Sequence, residues 1–118
     1  MTDQKEAGAE AEVPAKIANF SEKYKPVAQR LHELIIEADP SLVPRLWYGM
    51  PGYAKSKDSA VIFFFREDKY LTFGLTENAD IQLKADAPSQ LIDCAWFLTT
   101  LDAATEQRIS DIVRSITK

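Results

Sequence analysis

Two apolar runs separated by a few polar residues set the narrowest limits on this chain. Ala60 to Arg66 contains Val61-Ile62-Phe63-Phe64-Phe65, and Tyr70 to Leu75 follows almost at once. Aromatic and β-branched residues at this density read as strands. A link this short joins antiparallel neighbours, because parallel strands need a crossover of about a dozen residues or more. Glu67-Asp68 then reads as a tight hairpin connection, although it lacks the glycine that favoured turns use. A parallel doubly wound sheet is argued against from the start.

The flanks fit around that hairpin. Upstream, Ile17, Phe20, Tyr24, Val27, Leu31, Leu34, Ile35 and Ala38 recur at steps of three and four, with Lys23, Arg30, Glu33 and Glu37 on the other side. Pro26 interrupts this stripe, since inside a helix it would lose a hydrogen bond and clash with the preceding turn. Either one helix is kinked there, or a short helix ends near Tyr24 and a second starts with Pro26 in its first turn. The second arrangement is favoured, with the main helix from about Pro26 to Ala38. Asp39-Pro40 ends it, the residue before proline being pushed out of the helical region. Leu46 to Tyr48 reads as a first strand and Gly52 to Lys55 as a second, displaced by a kink or bulge at Gly49 to Gly52. The polar stretch from Thr76 to Asp93 is ambiguous, with a short helix expected around Pro88 to Ile92. Ala95 to Thr99 makes a last strand. Asp102 caps a final helix whose stripe is Ile109, Ile112, Val113 and Ile116. The order gives an α+β two-layer sandwich: an antiparallel sheet of four to five strands with N- and C-terminal helices on one face.

Composition enters through charge. The net charge is −4 over 118 residues. Met1 to Val13 holds Asp3, Glu6, Glu10 and Glu12 against Lys5, so most of the acidity sits in that segment. Residues 1–13 therefore read as a mobile acidic tail unable to offset its ordering entropy, and 14–118 as a single domain. The near-neutral body has no cluster of basic residues interleaved with aromatics, which argues against nucleic acid as a partner. The longest apolar run is far below the roughly 20 residues of a membrane span. A single cysteine, Cys94, fits a reducing compartment, and the acidic start is not a secretory signal, so a cytoplasmic location is expected.

Chemistry-bearing residues are sparse. One histidine, His32, and Cys94 lie in different elements, which leaves a Cys-His nucleophilic pair without an orienting group and excludes Cys/His zinc clusters. No Gly-rich phosphate loop and no Gly-x-Ser-x-Gly elbow occurs. Glu67 and Asp68, exposed in a turn, would be ordinary acids. A non-enzyme is expected. The dense stretch Arg45-Leu-Trp-Tyr-Gly-Met-Pro-Gly-Tyr53 is more suggestive. Trp47 and Tyr48, adjacent in a strand, should point to opposite faces; Val61, Phe63 and Phe65 should share one face and Ile62 and Phe64 the other. With helices on one side only, the second face is either covered by the 76–93 connector or presents an aromatic platform for a small ligand or partner. The residues that would line it are Trp47, Tyr48, Gly49, Met50, Pro51, Tyr53 and Phe64. Gly49, Pro51 and Gly52 read as geometry, and a cis Met50–Pro51 bond is one way to build the corner. A separate candidate is a hard-cation site at Glu33, Glu37 and Asp39, although Arg30 is a natural ion-pair partner for Glu33. An exposed sheet edge or the aromatic patch would also serve as a homodimer surface.

Tyr48-Gly49-Met50-Pro51-Gly52-Tyr53 resembles the signature of the YdhG-like domain family, small bacterial proteins of uncharacterised function that include a frataxin-like intracellular iron chaperone. The resemblance runs from about Phe20 to the C-terminus. It takes in Glu37-Ala38-Asp39-Pro40, the strands Val61 to Phe65 and Tyr70 to Gly74, and the strand-then-helix finish from Ala95 to Ile116. It implies a two-layer α+β domain. It also implies iron as the alternative cargo of an otherwise cofactor-free binding protein, held by surface carboxylates such as Glu33, Glu37 and Asp39.

Overall fold

A computed structural model of the chain describes residues 11–81 and 83–117. Most of the segment expected to be a mobile tail, 1–10, lies outside the described residues. Its last part does not behave as a tail: residues 11–18 are helical (α1), and Val13 is fully buried. A single large apolar side chain, placed one turn before Ile17, is enough to dock this turn on the core.

Helix α2 spans Lys25–Ala38 and carries Pro26 in its first turn. The two-helix arrangement is thus the one adopted, because proline's missing N–H costs nothing at a helix start. Strands β1 (Val43–Trp47), β2 (Met50–Ala54), β3 (Val61–Glu67), β4 (Leu71–Leu75) and β5 (Ala95–Leu98) precede α3 (Ala103–Ile116). The five strands form one antiparallel sheet in sequence order. Asp102 caps α3 as expected, its carboxylate accepting from the Thr105 N–H at 2.8 Å. The Thr105 hydroxyl and this N–H together hold the Asp102 carboxyl below its ordinary value.

The helices share one side of the sheet. Ile17, Leu31, Ile35, Ile109 and Val113 meet Tyr53, Phe63, Phe65, Leu71 and Phe73 in a single core. Arg30 of α2 clasps Glu106 of α3 with two bonds of 2.8 and 3.0 Å, tying the helices to each other above the sheet. No helix among the described residues is long and apolar enough to cross a membrane.

Four local expectations change. The β3–β4 loop is Asp68 to Tyr70 rather than Glu67-Asp68, because Glu67 stays in the strand, where its carboxylate accepts from the N–H and hydroxyl of Ser21. No helix forms at Pro88 to Ile92; this stretch is irregular, and Leu91 and Ile92 are exposed, leaving no buried stripe to hold one. The bulge falls later than Gly49 to Gly52. Tyr53 pairs with Phe63 but Ala54 pairs with Val61, so Ile62 is the extra residue. Alternation breaks there: Ile62 joins Phe63 and Phe65 in the helix-side core, whereas Val61 sits beside Gly52 and Trp47 on the opposite face.

Candidate functional site

The face away from the helices carries its own aromatic set. Strand register places Arg45, Trp47, Met50, Phe64, Thr72 and Phe97 there. In the 76–93 connector Ala79 and Ile81 pack against the helix-side core, and Asp80 N–H donates to the Ile116 carbonyl. Phe64 lies flat across β4 because residue 74 is glycine. A Cβ at Gly74 would stand 2.6 Å from Phe64 Cζ, closer than any side chain tolerates. Trp47 packs on Phe64 with ring centroids 5.2 Å apart. At the far side of the same face Phe97 stacks on Tyr70 at 5.3 Å, with Phe97 70% exposed.

Tyr48 completes the row from the turn. β1 and β2 are joined by Tyr48 and Gly49 alone, Trp47 pairing with Met50. Both turn residues have positive φ, 51° and 76°, as a two-residue type I′ hairpin demands. Asn-Gly or Gly-Gly is the usual occupant of such a turn; a tyrosine in the left-handed region works against its own Cβ. Here its ring is 85% exposed and meets Trp47 edge-on at 4.9 Å. Trp47 and Tyr48 were expected on opposite faces. They meet instead because the left-handed turn takes Tyr48 out of strand alternation. Gly49 is needed for its φ, and the Met50–Pro51 bond is trans.

Of the expected ligand-lining residues, Trp47, Tyr48, Met50 and Phe64 therefore gather on or at the rim of one surface. Pro51 and Tyr53 do not. Both side chains are essentially buried on the helix side, and Tyr53 stacks on Phe63 and Phe65 in the core. A groove of ≈ 390 Å³ opens beside the hairpin, lined in part by Tyr48, Gly49, Met50 and Pro51, with Lys16 and Arg66 at its sides.

No family model, curated protein or solved structure matches the chain.

The carboxylates proposed for a cation are not brought together. Glu33 and Glu37 both face Arg30, at 3.6 and 3.3 Å, while Asp39 accepts from the N–H and hydroxyl of Ser41, which hold its carboxyl below the usual range. Among the described residues no group of three or more His, Cys, Asp and Glu could hold a metal ion. His32 is also committed: its Nδ1 lies 2.8 Å from the Tyr53 hydroxyl. Burial lowers the His32 pKa below its ordinary 6.5 and pushes the Tyr53 phenol well above 10, so both are held neutral near pH 7. Cys94 is exposed and leads into β5, at the opposite side of the sheet from the His32–Tyr53 pair. Sequence alone did not pair His32 with Tyr53. Nor did it single out Phe97, although Gly74, beside an aromatic strand, was a signal that a ring crosses β4.

Proposed function

We propose that this chain is a non-catalytic binding protein whose uncovered sheet face takes a small ligand with a flat apolar surface against Trp47, Tyr48 and Phe64. One observation supports this above the others. An exposed aromatic ring stands at a left-handed turn position that Asn or Gly would fill with less strain. Backbone strain of this kind concentrates at functional positions, and an exposed tyrosine offers an apolar body with a polar tip, suited to a ligand surface. Met50 adds an adaptable apolar contact. Membership of the YdhG-like family belongs to the same proposal and rests on the Tyr48 to Tyr53 hexapeptide and the order of elements.

The test compares wild type with Tyr48→Asn, both purified from the native host and analysed by native mass spectrometry. A small-molecule adduct on wild type that is depleted in Tyr48→Asn, with no loss of thermal stability, is the expected outcome. Equal adduct retention by both proteins contradicts the proposal, and so does unfolding of Tyr48→Asn. A larger adduct, of polypeptide mass, would assign the face to a protein partner instead.

A further inference from the structure

At the β5 edge of the sheet, far along the strand order from the Tyr48 hairpin, a second groove lies between β5 and α3. It encloses ≈ 370 Å³, within the range typical of small-molecule sites, and its walls include Phe73, Trp96, Leu98, Ile109 and Ile112. Thr105 and Arg108 also line it, and Arg108 is its one charged residue. No acidic residue is among its lining.

Arg108 differs from every other described arginine. Arg30 is held by Glu106, Arg45 by the Lys57 and Ser59 carbonyls, Arg66 by Asp68 and Arg114 by Asp111. Among the described residues Arg108 makes no ion pair or hydrogen bond and the Trp96 N–H has no partner, whereas the Thr105 hydroxyl is held by Asp102. A guanidinium presents a planar fork that matches a carboxylate bidentately. One unpaired cation balances one negative charge, which favours a carboxylate over a doubly charged phosphate monoester. The apolar walls call for hydrocarbon behind that charge.

We propose that the β5–α3 groove binds a small amphiphilic carboxylate, its hydrocarbon lying against Trp96, Ile109 and Ile112 and its carboxylate paired with Arg108. Phe97 borders both this groove and the uncovered face, but Trp47, Tyr48, Met50 and Phe64 take no part in the groove, which does not depend on the function proposed for them.

The experiment titrates the full chain with sodium decanoate, and separately with decanol, while following the Trp96 indole and Ile112 methyl signals by NMR. Arg108→Gln tests the charge, and Arg114→Gln on the same helix serves as control. Decanoate should shift both signals below its micellar concentration and bind more tightly than decanol. Arg108→Gln should weaken decanoate by about tenfold while leaving decanol unchanged, and Arg114→Gln should change neither. No shift with decanoate, equal affinity for decanol and decanoate, or undiminished decanoate binding by Arg108→Gln would each overturn the assignment.

Discussion

The two faces of the sheet are built from the same kinds of side chain and put them to opposite uses. On the helix side Tyr53, Phe63, Phe65 and Phe73 are at most 1% exposed, interlocked at centroid separations of 5.1 to 6.1 Å. On the other side Trp47, Phe64 and Phe97 contact neighbours yet keep part of their surface in water, and Tyr48 stands almost free. The helix side also closes its polar account: the buried phenols of Tyr53 and Tyr24 have partners in His32 and the Lys69 carbonyl, and no buried polar side-chain atom among the described residues lacks one. Aromatic density therefore says little about role. Whether a second layer lies over the rings decides it, and here the helices lie on one side.

Substitutions should separate the faces. Phe63→Ala removes a fully buried ring and should cost about 3–5 kcal/mol in denaturant unfolding. A loss below about 1 kcal/mol would place Phe63 outside the core and break the contrast. Tyr53→Phe leaves His32 Nδ1 without its partner and should cost about 1–3 kcal/mol. On the uncovered side Gly74→Ala forces Phe64 off β4 and should cost roughly 1–3 kcal/mol, with altered near-UV circular dichroism from the Trp47–Phe64 contact.

A smaller effect concerns pH. His32 has a folded pKa below its ordinary 6.5, so the unfolded chain binds more protons once pH falls beneath that value. Stability should be full above pH 6.5 and decline as pH drops through the folded pKa of His32. The carboxylates of Glu106, held low by Arg30, and of Asp39 add their losses further into acid. His32→Gln should flatten the first decline and leave the second. An unchanged profile in that variant would remove His32 as its source. Smallest of all, Tyr48→Asn should not lower the melting temperature, since relief of a left-handed tyrosine offsets the exposed contact with Trp47.

Much of the frame was legible because it depends on local rules. The stripe from Ile17 to Ala38, the break at Pro26, the Asp102 cap and the shortness of the link between the two apolar runs each constrain their own neighbourhood whatever the rest does. What stayed hidden depends on how elements meet. A run apolar on both faces, Val61 to Phe65, carries no period to reveal that Ile62 is a bulge. The His32–Tyr53 bond is set by how α2 is rotated over β2, which no sequence spacing records. The Tyr48 turn lay between: Tyr-Gly enclosed by Trp47 and Met50 is a two-residue loop ending in glycine, yet tyrosine is not the residue that the turn favours.

The contrast between the faces is tested most directly by titrating 2-naphthol, a flat apolar probe, into wild type and Tyr48→Asn while recording side-chain NMR spectra. Shifts should gather on Trp47, Tyr48, Met50 and Phe64 and spare Phe63 and Phe65, with affinity falling roughly three- to tenfold in Tyr48→Asn. Shifts centred on Phe63 and Phe65, or equal affinity in the two proteins, would contradict the claim that the Tyr48 surface takes a flat apolar ligand.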